Sequence, residues 1–257
     1  MKNFNNSVRL IKENGELENK NKGLNKKVRE MEKLFSLLAH DLRSPFNVLL
    51  GLTEELVSEH EISAIDQKKY LNELRKQTGN VFDLLINLLS WSEVQMGRRS
   101  VFPVNFPLKE TVDNIITLLQ PIAQKKQINL ANEVSKNAII YADADITQIV
   151  IRNLISNSLK FTNFGGTIAI SEIIADDLVQ VSVADTGIGI KPENIEKLFG
   201  SEFYSTLGTN NEKGTGLGLL FCKEMIERQG GTIFASSVFG KGTVITFTTK
   251  LARPTKP

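Results

Sequence analysis

Phe35-Ser-Leu-Leu-Ala-His-Asp-Leu-Arg-Ser-Pro45 carries apolar residues at steps of three and four, and that spacing continues outward. Leu24, Val28, Met31, Phe35, Leu38 and Leu42 share one frame, with Leu10 and Leu17 earlier in it. The pattern predicts a helix with a heptad seam, placing Val28, Phe35 and Leu42 at a and Leu24, Met31 and Leu38 at d. His40 then falls at f, farthest from the seam, so its imidazole is expected to face solvent. Most histidines on an outer helix face only meet water. Here Asp41 adds a carboxylate that could keep one ring nitrogen protonated and leave the other as a nucleophile. Pro45 removes a helix hydrogen bond nearby, at a cost of roughly 3 kcal/mol, and predicts a kink.

Upstream, residues 1–30 are rich in Asn and Lys, and Asn14 and Asn21 occupy a positions of the same frame. Asn at a weakens a coiled coil but favours a parallel two-stranded register, so this stretch reads as a coiled-coil helix. Downstream, the apolar spacing passes Pro45 through Val48, Leu49, Leu52 and Leu56, then yields to a polar turn, Ser58 to Asp66. His60 lies in that turn and is given no role. A second amphipathic run follows at Leu71, Leu74, Thr78, Val81, Leu85, Leu88 and Ser92. The two runs fit an antiparallel helical hairpin. One hairpin leaves its seam exposed, whereas two hairpins from two chains bury it as a four-helix bundle. A homodimer is therefore expected.

At 257 residues, with 41% apolar and 23% charged residues, the chain is long enough for about two folded domains. A net charge of +2 gives no reason to expect nucleic acid as a partner. Cys222 is the single cysteine, which excludes an intrachain disulfide and fits a small buried apolar role. No run approaches the roughly 18 apolar residues of a membrane span, and the first residues are too polar for a signal peptide. A cytoplasmic setting is expected. The early coiled coil would equally suit the cytosolic part of a membrane receptor with a sensor domain upstream.

The helical period breaks at Gly97-Arg-Arg-Ser-Val-Phe-Pro-Val-Asn-Phe-Pro107, whose two prolines read as a domain linker. Beyond it, Leu108 to Lys125 predicts a helix. Alternation in Thr167–Ile170, Val179–Val183 and Val244–Thr248 predicts strands with one buried face, and Gly230-Gly231 a turn into another. The fold class is thus an all-α hairpin forming a dimeric bundle, followed by an α/β sandwich with helices on one side of a mixed sheet. The divisions are 1–30, 31–97, a linker at 98–107, and 108–252.

Three groups of residues in the second half suggest chemistry. On a helix from about Asp145 to Phe161, Asn153, Asn157 and Lys160 share one face, with Ile151, Ile155 and Leu159 opposite. Amide oxygens suit Mg2+ and a lysine suits phosphate, although a plain polar face would look the same. Asp185-Thr-Gly-Ile-Gly-Ile190 puts an acid at a strand end before two glycines. It lacks the third glycine of a dinucleotide fold and the Gly-Lys of a P-loop. Its carboxylate could accept from an exocyclic amine, on a backbone able to approach a flat ring. Lys213-Gly-Thr-Gly-Leu-Gly218 then opens a helix running to Gln229, with backbone N–H groups available for phosphate. Between the glycine elements, Leu198 to Lys213 with Phe199 and Phe203 has the composition of a mobile lid, or of an ordinary loop.

In this order, His-Asp-x-x-Ser-Pro, Asn-x-x-x-Asn-x-x-Lys-Phe, Asp-x-Gly-x-Gly, an aromatic loop and Gly-Thr-Gly-Leu-Gly resembles a sensor histidine kinase of two-component signalling. The resemblance covers roughly residues 30–250. It implies a HisKA-type dimerisation and phosphoacceptor hairpin followed by a GHKL-type ATP-binding domain, with ATP and Mg2+ as ligands. It makes His40 the phosphorylated residue and Asp41 the acid that polarises it. Asn157 would bind Mg2+, with Asn153 and Lys160 near the phosphates. Asp185 would accept from the adenine amine, and Gly187 and Gly189 would shape the base pocket. Lys213, Gly214, Thr215, Gly216, Leu217 and Gly218 would line the phosphates. The implied partner is the receiver domain of a response regulator. Ser44 departs from the Thr or Asn of many relatives at the position that directs water for dephosphorylating that partner. Two other readings are a GHKL ATPase, whose relatives usually carry Glu in place of Asn153, and a catalytically silent nucleotide-binding scaffold.

Overall fold

A computed structural model describes residues 2–58, 62–95, 101–200, 206–210, 212 and 216–252, with side chains described for only part of the first two helices. The chain divides into two compact units, Met1–Leu84 and Leu85–Pro257.

The N-terminal unit consists of α1 (Lys2–Val57) and most of α2 (Ala64–Gln95). Pro45 lies inside α1, which is helical on both sides of it. Having no N–H, Pro45 leaves the carbonyl of Asp41 without its helical donor. The polar turn is shorter than the spacing suggests, because Asp66 belongs to the first turn of α2. Ser63 is the reason. Its Oγ accepts from the Asp66 N–H at 3.1 Å and donates to Asp66 Oδ2 at 2.7 Å, a reciprocal cap that starts the helix early.

The C-terminal unit is a helix layer on a mixed sheet. Its elements are β1 (Val104–Pro107), α3 (Leu108–Lys125), β2 (Asn129–Asn132), β3 (Ile139–Ala142), α4 (Ala144–Phe161), β4 (Thr167–Ala175) and β5 (Leu178–Asp185). Short α5 (Pro192–Ile195) and a 3-10 turn (Glu196–Phe199) follow, then α6 (Gly218–Arg228), β6 (Ile233–Val238) and β7 (Gly242–Leu251). The seven strands run β1-β3-β7-β5-β4-β2, with β6 also on β7. Among the described residues β2 and β4 pair in parallel and the other pairs are antiparallel.

Alternation along β5 sends Val179, Val181 and Val183 to one buried face. The helical period does the same for Leu108, Val112, Ile115, Leu119 and Ala123 of α3, and for Ile151, Leu154, Ile155 and Leu159 of α4. These side chains join Phe247 of β7 and Cys222 and Met225 of α6 in one core. The helix over Leu108–Lys125 forms at the bounds its pattern indicates, whereas the linker reading of 98–107 is corrected in its second half.

Val104–Pro107 is a sheet strand, pairing Val104 with Ala142 and Pro107 with Ile139. Its proline is tolerated because β1 lies at the sheet edge and Pro107 is its last residue. Phe102 is also tied in, its N–H donating to Asp143 Oδ2 at 3.1 Å. The glycine-run helix begins later than its motif implies, at Gly218. Among the described residues, no helix is long and apolar enough to cross a membrane.

Candidate functional site

Helix α4 is the floor of the site. Asp143 caps it by accepting from the Ile146 N–H at 3.1 Å, and the buried isoleucines and leucines then fix its rotation. Asn153, Asn157 and Lys160 are consequently half-buried on the other side. Asn157 Nδ2 donates to Asn153 Oδ1 at 3.4 Å, and Asn153 Nδ2 donates to the Gly218 carbonyl at 3.4 Å. Among the described residues no donor meets the Asn157 amide oxygen. A Cβ on Gly218 would stand 2.6 Å from Asn153 Oδ1, so a larger residue there would push the Asn153 amide aside. The first turn of α6 therefore lies directly against the paired asparagines.

Asp185 ends β5 beside the same helix. Its Oδ1 accepts from the N–H of Gly187 at 2.9 Å and of Thr243 at 3.2 Å, and its Oδ2 accepts from Ser158 Oγ at 3.1 Å. Burial pushes its carboxyl above the usual aspartate range, while the Gly187, Ser158 and Thr243 donors pull it back part of the way. The glycines after it are there for close approach. A Cβ on Gly187 would run into the Phe161 carbonyl, and Gly189 combines a φ of 65° with a backbone pressed on the Val238 carbonyl. Ile188 spans the gap, its N–H donating to Phe161 O at 3.1 Å and its carbonyl accepting from Gly240 N–H at 2.8 Å.

Lys160 Nζ donates to the Thr206 carbonyl at 3.1 Å and lies 4.6 Å from the Phe161 ring centre. Burial lowers the pKa of its ammonium, with Glu212 opposing the shift and Lys126 adding to it. Gly216 has a φ of 71° and Leu217 is buried, so the end of the glycine run is fixed in the core. Lys213, Gly214, Thr215, Phe203 and His60 lie outside the described residues, as do the side chains of His40 and Asp41, whose backbones are helical in α1. Ser44 is half-buried on the same helix. Phe199 ends the 3-10 turn and packs on the core, and its carbonyl accepts from Lys223 Nζ at 3.3 Å.

The structure therefore brings together Asn153, Asn157, Lys160, Asp185, Gly187, Gly189 and Gly218. It adds groups not anticipated from the sequence. Ser158 and Thr243 hold Asp185, and Lys126 binds the C-terminal end of α4, where its Nζ reaches the Leu159 carbonyl at 2.8 Å. Ser158 sits one residue past Asn157 and has no motif of its own. Among the described residues, no three His, Cys, Asp or Glu side chains gather as a metal site. A divalent ion here would take hard oxygens, one amide and otherwise phosphate and water, which suits Mg2+ and the unengaged oxygen of Asn157.

Residues 142–253 match the family described as histidine kinase-, DNA gyrase B- and HSP90-like ATPases. The sheet, the acid at its strand end and the asparagine helix thus make up an ATPase domain of that class. Adaptive-response sensory kinase SasA of Crocosphaera subtropica is 30% identical over 253 residues, 96% of this chain and 66% of that one. Hybrid signal transduction histidine kinase B of Dictyostelium discoideum is 31% identical over 222 residues, covering 82% of this chain but only 11% of that much longer protein. A solved histidine kinase, ThkA in complex with response regulator protein TrrA, has the same fold, with a TM-score of 0.68 over 88% of this chain and 64% of that one at 23% identity. The chain belongs to the sensor histidine kinases.

Proposed function

We propose that the chain is an ATP-dependent protein histidine kinase that phosphorylates itself on His40 and passes the phosphoryl group to an aspartate of a response regulator. The observation that carries this is the convergence of Asp185, the two close-packed glycines and the Asn153–Asn157 pair on α4. A half-buried carboxylate whose Oδ2 meets one donor among the described residues has capacity left to accept from the adenine amine. Gly187 and Gly189 would let the base lie on backbone. Asn157 would hold Mg2+ through its amide oxygen, and Mg2+, when bound, neutralises phosphate charge. Lys160 would exchange the Thr206 carbonyl for a phosphate oxygen. Lys213 to Gly218 would present amides to the phosphates at the start of α6.

In the transfer, a ring nitrogen of neutral His40, oriented by Asp41, forms a bond to the γ-phosphorus. The bond from that phosphorus to the β–γ bridging oxygen breaks, and ADP leaves with the electron pair. Ser44 would position water when the partner is dephosphorylated. The divisions 1–30, 31–97, 98–107 and 108–252 would serve as signalling coiled coil, phosphoacceptor domain, linker and catalytic domain, with Val104–Pro107 of the linker taken into the sheet as a strand. Homodimerisation is supported by seam residues that a single chain leaves exposed, Val28, Leu71 and Leu85 among them.

The kinase reading is favoured over hydrolysis by Asn153. Its amide donates to the Gly218 carbonyl and cannot take a proton from water, as a glutamate would. Incubation with γ-labelled ATP and Mg2+ tests the reading: the chain is expected to acquire acid-labile, alkali-stable label. Release of free phosphate with no label on the chain would instead mark an ATPase.

A further inference from the structure

Lys126 is only 6% exposed, and the proposed reaction does not use it. Lysine is rarely buried unless paired. Its ammonium here reaches Leu159 O at 2.8 Å, Lys160 O at 3.2 Å and Thr209 Oγ1 at 2.9 Å, and pairs with Glu212 Oε1 at 2.8 Å. The two carbonyls belong to the last turn of α4, where helix geometry leaves acceptors unmet and the dipole favours a cation. The other two partners lie on the segment that leads into the glycine run. That segment also closes on itself, with Gly208 N–H donating to Glu212 O at 2.9 Å and Asn210 N–H to Glu212 Oε2 at 2.7 Å. It closes on α4 as well, through Thr209 N–H to Lys160 O at 3.0 Å. Burial pushes the Glu212 carboxyl up, but the Lys126 and amide hydrogen bonds outweigh it and hold the group below the usual range.

We propose that Lys126 is a positioning residue for nucleotide binding, clasping Thr209 and Glu212 onto the end of α4 so that the glycine run departs from a fixed point relative to Asn153, Asn157 and Lys160. The inference rests on the ATP reading of this site. Lys126 acts through Thr209 and Glu212 and not on the nucleotide. Loss of the clasp therefore loosens the walls around the phosphates and shows in ATP affinity before it shows in turnover. Removing Lys126 itself leaves the Glu212 carboxylate without its cation and the Leu159 carbonyl without its donor, so the informative variants are at Thr209 and Glu212.

The test uses the full chain and measures ATP affinity by calorimetry and self-labelling rate against ATP concentration. Glu212→Gln and Thr209→Val leave Lys126 satisfied by the α4 carbonyls, and a cooperative thermal transition checks that they fold. Each is expected to raise Kd and KM for ATP about five- to tenfold, less than the full worth of a charge-assisted hydrogen bond because the contact acts on the nucleotide indirectly, with kcat within about twofold. Lys126→Arg is expected to lose less affinity than Lys126→Met, and Glu212→Gln added to Lys126→Met to cost nothing further. Folded Glu212→Gln and Thr209→Val variants with unaltered Kd, or losses that multiply in the double variant, overturn the clasp. If the wild-type chain binds no ATP, the nucleotide reading falls and the clasp with it. If the chain binds ATP without becoming labelled, only the kinase reading falls, and Kd still decides the clasp.

Discussion

The Ser158 hydroxyl donates to Asp185 Oδ2 at 3.1 Å, tying the end of β5 to the helix that carries Asn153 and Asn157. The bond holds a carboxylate in a place that disfavours its charge, and on the proposed reading that carboxylate accepts from the adenine amine. Asp185→Asn should therefore separate function from stability. Binding of ATP is expected to weaken roughly 10- to 100-fold, while the melting temperature holds or rises, since an amide costs less to bury than an ion. Acidification should act in the same two directions. Because burial raises the Asp185 pKa in the folded chain, protonation begins at a higher pH than for an ordinary aspartate, and ATP affinity falls as pH drops toward that value. The stability linked to this group is full below the unfolded pKa and is lost as pH rises through the folded one. Calorimetric titrations and thermal melts across pH check both, and an Asp185→Asn chain that binds ATP normally would contradict the assignment.

Gly187, Gly189 and Gly165 should respond differently to alanine. At Gly187 the new Cβ meets the Phe161 carbonyl and lies 2.8 Å from Asp185 Oδ1, so the backbone must shift, at about 1–3 kcal/mol. At Gly189 a comparable clash adds to a φ of 65°. Gly165 has a φ of 77° but nothing within 4 Å of a Cβ, so only the conformational cost of about 1 kcal/mol remains. Denaturant unfolding should rank Gly165→Ala mildest and Gly189→Ala most severe.

Cys222 is fully buried in α6, and burial pushes its thiol up to about 12. A thiol reagent at pH 8 is expected to leave the native chain unmodified and to titrate one thiol after denaturation. Modification of the native protein at a rate independent of denaturant would mean that α6 is not docked as described.

Ser63→Ala removes the reciprocal cap on α2. A lost N-cap costs about 1 kcal/mol, so exchange at the Asp66 amide should speed up about fivefold while amides in the middle of α2 keep their protection. Unchanged exchange at Asp66 would place the start of the helix elsewhere.

What the sequence reveals of this molecule divides by the range of the interactions. The floor helix is legible because Ile151, Ile155 and Leu159 repeat at the helical period, and that alone turns Asn153, Asn157 and Lys160 to the other side. Asp185 is legible as the last residue of an alternating strand. The strand at Val104–Pro107 hides behind its prolines and becomes a strand only through pairing with Ile139–Ala142. Each of β2 and β3 has just four residues, too few for an alternation to stand out. Lys126 reads as an ordinary charge at a helix end, because its partner Thr209 lies 83 residues away and only the packed fold brings them together. Ser158 is silent for the same reason, at 27 residues from Asp185.

The central claim is that the γ-phosphoryl group of ATP moves to His40. It is tested most directly by exposing the wild-type chain and His40→Gln to γ-labelled ATP with Mg2+, with ATP affinity measured for both. The expected result is acid-labile, alkali-stable label on the wild type, none on His40→Gln, and equal affinity for ATP. Equal labelling of the two chains, or no label on a wild type that binds ATP, would contradict it.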